Sequence, residues 1–367
     1  MSLARLHELF EKRQSLGPPD AIGIITQAVP IEIILAAGLA PCRVFGDPSQ
    51  APTIGARYME DEIDGEVRSV FDQLLRGRYG TQPLILLPRV TEQHLQLHYY
   101  IQEVRNWEPD AAIPPVEIVD IMQTAYWLTG RYVRARMDDL ADIVGGIGNP
   151  VTAAALREAI ATTNAMRRAL QAANALRRDG RLKGSDIFRL TALFGALPAE
   201  EFLDLAGAVA NEAGNRVHGP RVMLSGSAPG DPGIYEVIES LGASVVVDEH
   251  VTGERIFARL IDEDLDPFEA ITEHYQLYYP GVRQFPQKPQ DDRFAATCRD
   301  ARIDADICVL ETGDDTLGWD WPRRRDRLQS LGIRSHLLAH QDYFRPDRNA
   351  QVAAVKSFLA AVMEEVQ

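Results

Sequence analysis

Two short polar stretches hold most of the residues able to do chemistry. One is Ser225-Gly226-Ser227, which opens a turn running to Asp231. The other runs from Asp248 to Arg255 and contains Glu249, His250 and Thr252. A Gly/Ser turn ahead of a helix leaves backbone N–H groups unpaired, a favourable place for an anion. His250 has an ordinary pKa near neutrality, which suits acid/base work; a solvent-exposed loop histidine is the plain alternative. Arg255 can pair with an acyl or phosphate oxygen, or form a structural ion pair. Glu32 stands at a helix start in Pro30-Ile31-Glu32. A carboxylate there can meet a substrate or simply favour the helix dipole. The catalytic candidates are therefore Glu32, Glu249 and His250. The substrate-binding candidates are Ser225, Gly226, Ser227, Thr252 and Arg255. The turn is a modest signal, since neither G-x-G-x-x-G nor G-x-x-x-x-G-K-[ST] accompanies it.

The surrounding pattern supplies elements to position these residues. Val222, Met223 and Leu224 form an apolar run that stops at the turn, as a buried strand does. Asp231 can cap a helix with Pro232 in its first position. Ile234, Val237, Ile238 and Leu241 recur at helical spacing, Gly242 is a stop, and Ala243 to Val247 is a second apolar run. In such a β-loop-α-β unit, ligands sit beyond the carboxyl ends of the strands, where both polar stretches fall. The same alternation fills residues 1–125 (AIGIITQAV, CRVFG, PLILLP and PVEIVDI as strands) and returns in 220–367 (VMLSGS, ASVVVDE, ADICVLE and IRSHLLA). Between them, 126–219 reads as long helices without strands. The expected fold class is α/β: two Rossmann/flavodoxin-like parallel-sheet domains joined by a helical connecting region.

Composition narrows the function classes. A chain of 367 residues can bury two or three cores. A net charge of −15 argues against a nucleic-acid footprint and an anionic membrane surface. Neither a signal-type segment nor a membrane-length apolar run is present. Three scattered cysteines suggest no disulfide framework, so a reducing cytoplasm is expected.

Three stretches, in order, resemble one family. VPIEIILAAGLAPCRVFGD resembles its early Pro-x-Glu helix and Ala-Ala-Gly. VMLSGS…GIYEVIESLGASVVVDEHVTGER resembles its Gly-Ser turn and its Val-Val-x-Asp strand before Thr-Gly-x-Arg. LGIRSHLLAHQDYF resembles its late strand and Asp-Tyr. The family is the 2-hydroxyacyl-CoA dehydratase and benzoyl-CoA reductase group, in particular the smaller, D-type subunits. The resemblance implies consecutive α/β domains, a pair of related subunits, radical chemistry on an acyl-CoA, and an iron–sulfur cluster held by three cysteines.

This chain departs from that pattern at the cluster. The first cysteine position carries Ile63 or Asp64, the second Val90 or Thr91, the third Gly313 or Asp314. Further family cysteines are replaced by Val251 and Phe285. Cys42 and Cys308 fall in strand patterns and read as small buried hydrophobes; Cys298 lies elsewhere. The expectation is a protein with no cluster and no metal. It would bind an acyl-CoA or related carboxylic substrate in the interdomain cleft, with non-radical hydration or dehydration. The alternative is a non-catalytic partner of a cluster-bearing homologue. A homodimer, or a heterodimer with a related subunit, is expected in either case. His94 and His98 share a helix face but lack the Glu of H-E-x-x-H. WDWPRRRDR reads as a capped, solvated helix or as an anchor for CoA phosphates.

Overall fold

The computed structural model describes residues 2–366, apart from 90, 280 and 282–284. Val90 therefore lies outside the described residues. Strands β1 (Ile22–Ile25), β2 (Pro41–Val44), β3 (Ile85–Pro88) and β4 (Val116–Val119) form a parallel sheet in the order β2-β1-β3-β4. Strands β5 (Arg221–Gly226), β6 (Ser244–Glu249), β7 (Ala305–Glu311) and β8 (Arg334–Gln341) form a second, in the order β6-β5-β7-β8. Counted from its own first strand, each sheet has the same order. Each therefore has a topological switch point between its first and third strands. Every residue of β1 and β3 is buried, as strands covered on both faces require.

Helices α1 (Ser2–Glu11), α2 (Ile31–Ala36), α3 (Gly65–Leu75) and α4 (Glu92–Trp107) belong to the first half. Helices α5 (Trp127–Ile147), α6 (Ala153–Arg178), α7 (Gly184–Ala192) and α8 (Ala199–Asn211) make the middle. Helices α9 (Gly233–Ser240), α10 (Pro267–Glu273), α11 (Lys288–Asp300), α12 (Asp315–Ser330) and α13 (Arg348–Val366) follow. One face of the first sheet shares a single apolar core with α2 and the middle helices, and α1 packs on α7 and α8. The other face is covered by α3 and α4 through Val67, Phe71, Leu97 and Ile101. The second sheet lies between α9 with α13 and α11 with α12.

Helix α6 joins the halves through charge. Arg167 and Arg177, in the helical stretch AMRRALQAANALRR, are fully buried. Arg167 pairs with Glu32 at 2.8 Å; Arg177 pairs with Asp248 at 2.8 Å and Glu254 at 2.9 Å. Buried ions persist only when matched in this way.

Two boundaries differ from the pattern. Helix α9 begins at Gly233, whose N–H is bound by Asp231 Oδ1 at 2.7 Å, so Pro232 takes the cap position. Helix α12 begins at Asp315, well before Trp321, and carries Pro322 inside. Its true start is marked by Asp314, whose Oδ1 accepts from Leu317 N at 3.0 Å.

Candidate functional site: a cleft at three helix starts

The carboxyl ends of both sheets face a common cleft of about 290 Å³. Three helices begin at its wall: α3, α4 and α12, with Asp64, Thr91 and Asp314 as their cap residues. Unpaired N–H groups and helix dipoles give such a convergence a positive potential. Two caps are spent on their own helices. Thr91 Oγ1 accepts from His94 N at 3.3 Å, and Asp314 caps Leu317. Asp64 makes no capping bond, and its Oδ1 has no hydrogen-bond partner.

The cleft wall is tied across the two halves. Gln93 Oε1 accepts from Asp64 N, while Gln93 Nε2 donates to Gly313 O at 3.2 Å. Glu311 Oε1 accepts from Gly65 N. Ser227 Oγ donates to Asp314 Oδ2 at 2.6 Å and accepts from Glu311 N at 3.0 Å. Opposite, the chain after α10 makes a π-helical turn, His274–Tyr278, which brings Tyr275 and Tyr279 to the cleft with ring centroids 5.5 Å apart.

Crowded carboxyls set the electrostatics. Burial, then Asp314 and Glu66, raise the Asp64 carboxyl to about 7. Burial raises Glu66, which Arg43 partly offsets, and holds Glu311 well above the ordinary range. His94 lines the cleft with Nδ1 2.7 Å from Thr91 Oγ1, and burial lowers it to about 4, so it is neutral. A carboxyl that titrates near neutrality, with a free oxygen in a cleft, can take or give a proton.

The residues singled out in the sequence divide between three places. Gly226, Ser227 and Thr252 line the cleft. Glu249, Arg255 and Gly226 line a second chamber behind it. The others face neither. Ser225 is buried within β5. Glu32 is fully buried, bound by Arg167 and by the Tyr275 hydroxyl at 2.9 Å. His250 turns inward, 2.6 Å from the Tyr235 hydroxyl and 3.1 Å from Thr252 Oγ1. Burial holds it at about 4 against the pull of Asp248. Glu249 receives both Arg255 and Arg293; burial opposes its ionisation, but the arginines outweigh this and hold it at about 2. Asp64, Gln93, Glu311 and Asp314 were not singled out as site residues, and His94 was weighed only as half of a metal pair with His98. The only signal for Asp64 and Asp314 was their place in the cluster pattern.

Two matching parallel sheets facing one cleft across their switch points define a double α/β protein with a cleft at its strand ends. The chain belongs to the family described as 2-hydroxyglutaryl-CoA dehydratase, D-component, whose model matches residues 26–364. No curated protein sequence gives a significant match.

One residue from each pair to which the resemblance assigns a cluster cysteine (Asp64 of 63/64, Thr91 of 90/91 and Asp314 of 313/314) caps a helix at this cleft. Their side chains are two carboxyls and a hydroxyl, with no thiol among the described residues lining the cleft. The cysteines present stand apart: Cys42 in β2, Cys298 in α11, Cys308 in β7. Burial pushes the Cys298 and Cys308 thiols up to about 12 and raises Cys42 as well. This donor set does not fit a thiolate-held iron–sulfur cluster.

Proposed function

We propose that the cleft binds an acyl-CoA or related carboxylic thioester and that Asp64 moves a proton there. The observation that carries this is the Asp64 carboxyl: unpaired at Oδ1, titrating at about 7, beside three helix starts. The helix starts favour negative charge on a thioester carbonyl oxygen as it develops. The proton next to that carbonyl is the acidic one. Asp64 takes it as carboxylate and returns it as acid. If a hydroxyl leaves, it leaves from the carbon β to the carbonyl, where loss of the α proton expels it. No one-electron carrier enters this step. The cleft therefore suits hydration, dehydration or α-proton exchange of acyl thioesters rather than radical chemistry.

The test is proton exchange at the α-carbon of short acyl-CoA thioesters in D₂O, followed by NMR. Wild type exchanges and Asp64→Asn does not. Equal exchange by both proteins removes Asp64 from the chemistry.

A second role, as the partner of a related subunit, is supported by an exposed apolar surface at the start of α5: Tyr126 (59% exposed), Trp127 (76%) and Leu128 (71%) are consecutive, and Phe285 (56%) stands against Tyr126 with ring centroids 6.0 Å apart. Large exposed aromatics together mark contact surfaces. The family is described as a component, which fits an assembly with a related chain or with a second copy. Light scattering that finds only monomer, with no copurifying chain, contradicts this role. Among the described residues no helix is long and apolar enough to cross a membrane.

A further inference from the structure

A small cavity of about 30 Å³ lies where the two halves meet, behind Glu66 and Thr252, which line both it and the cleft. Three of its polar side chains come from distant parts of the chain: Arg13 just after α1, Arg43 in β2 and Tyr343 after β8. Arg13 is 8% exposed and Arg43 5%. Buried guanidiniums are ordinarily matched by carboxylates, as Arg167 and Arg177 are in this protein. Arg13 and Arg43 have no carboxylate within ion-pair distance among the described residues. Arg13 Nη1 donates to Phe10 O at 2.9 Å, and its Nη2 is 3.5 Å from Gly230 O. Arg43 Nη1 donates to Ala192 O at 3.3 Å, and its Nε has no acceptor. Each guanidinium lies over a ring, Arg13 at 4.0 Å from the Phe10 centroid and Arg43 at 4.7 Å from that of Phe45. A ring face attracts a cation but brings no negative charge to neutralise it.

The acids within reach do not close the balance. Glu66 lines the cavity, but burial raises its carboxyl above the ordinary range despite the pull of Arg43. Asp231 is held by Arg348, Asp47 is bound by Ser49, and Glu11 is exposed. Arg189, which also lies over Phe10, is already paired with Glu236. A third donor stands beside the two guanidiniums. The Tyr343 hydroxyl makes no hydrogen bond among the described residues. Its ring lies so close to Gly46 and Gly230 that neither has room for a Cβ, which fixes the hydroxyl at the cavity.

We propose that this cavity binds a small inorganic anion of halide size, held by Arg13, Arg43 and the Tyr343 hydroxyl, and that the ion ties the first half of the chain to the second. Converging donors without acceptors call for an acceptor, and two unmatched guanidiniums call for one that is charged. The space admits about one or two bodies the size of water, so a phosphate ester or an acyl chain does not fit. Water fills such a space but leaves the charge unmatched. The site stands independently of the proton chemistry read at the cleft.

The test is urea denaturation of the full chain at constant ionic strength, with sodium gluconate replaced stepwise by sodium chloride. Gluconate is too large to enter the cavity. An ion bound only by the folded protein raises stability with the logarithm of its concentration above Kd. Wild type gains stability as chloride replaces gluconate. Tyr343→Phe keeps the ring, removes one donor and needs about tenfold more chloride for the same gain. Arg43→Met loses the chloride-specific gain. Crystals soaked in sodium bromide show an anomalous peak between Arg13, Arg43 and Tyr343. Equal stability of wild type in both salts, or an identical chloride gain in wild type and Tyr343→Phe, overturns the assignment. A bromide map without a peak in the cavity overturns it as well, because any chloride gain then arises elsewhere. Should Arg43→Met fail to fold, the Tyr343→Phe comparison and the bromide map decide.

Discussion

Arg167 on α6 and Glu32 on α2 meet at 2.8 Å with both side chains out of solvent, and the Tyr275 hydroxyl completes the carboxylate's shell. This contact joins the middle helices, the first sheet's helix start and the π-helical turn that carries Tyr275 to the cleft. Removing one charge leaves the other buried and unmatched. Glu32→Gln is expected to lower stability by about 3–5 kcal/mol in urea denaturation. The joint change Glu32→Leu with Arg167→Met is expected to cost much less. A single-variant loss below about 1 kcal/mol would mean the pair is not what anchors these elements.

The pH dependence of the cleft follows from Asp64. Its carboxyl must be ionised to take a proton, and it titrates at about 7. The α-proton exchange rate should therefore climb as pH rises toward 7 and level off above it. Asp64→Asn removes no capping bond, folds, and loses this limb together with about 10²-fold or more of the rate. An unchanged limb in the variant points to a different group.

Gly226 forms the wall between cleft and chamber. Its φ is +102°, and a Cβ there would stand 2.0 Å from the Val309 carbonyl oxygen. Gly226→Ala demands both a disfavoured backbone and movement of β7. We expect a loss of roughly 2 kcal/mol or more and weaker binding of acyl-CoA. A variant with the wild-type melting temperature and affinity would show that the wall yields freely.

Asp306 lies wholly buried in β7, and burial raises it to about 7, with Arg324 partly offsetting the effect. Here the folded protein holds a proton that the unfolded chain releases near pH 4. Stability from this group is therefore largest at low pH and is lost as pH rises from about 4 to about 7. Asp306→Asn abolishes that loss. The stability of the variant relative to wild type should thus rise by a few kcal/mol (~1.4 per pKa unit) across that window. A constant difference between the two proteins would exclude the titration.

Much of the fold was legible because parallel strands buried on both faces leave continuous apolar runs. IGII, ILLP and VMLSG are visible as such, and their carboxyl ends located the cleft. Local rules failed where partners are distant in sequence. Arg167 and Arg177 look like an ordinary charged helix face until Glu32, Asp248 and Glu254 are brought to them. His250 follows a strand as an exposed residue would, yet Tyr235 draws it inward. WDWPRRRDR reads as a capped helix, while the effective cap is Asp314, upstream of that segment. Asp64 carries no local mark of chemistry at all. Its pKa comes first from burial and then from Asp314 and Glu66, and neither the burial nor Asp314 lies in a short window of sequence around it.

The central claim is that the three caps at this cleft serve proton chemistry, not an iron–sulfur cluster. Iron and acid-labile sulfide analysis of the chain, purified without oxygen, tests it most directly. The account predicts well under about one iron per chain and a colourless protein, because Asp64, Thr91 and Asp314 offer oxygen where a cluster needs thiolate. About four irons with matching sulfide, and broad visible absorbance, would contradict it.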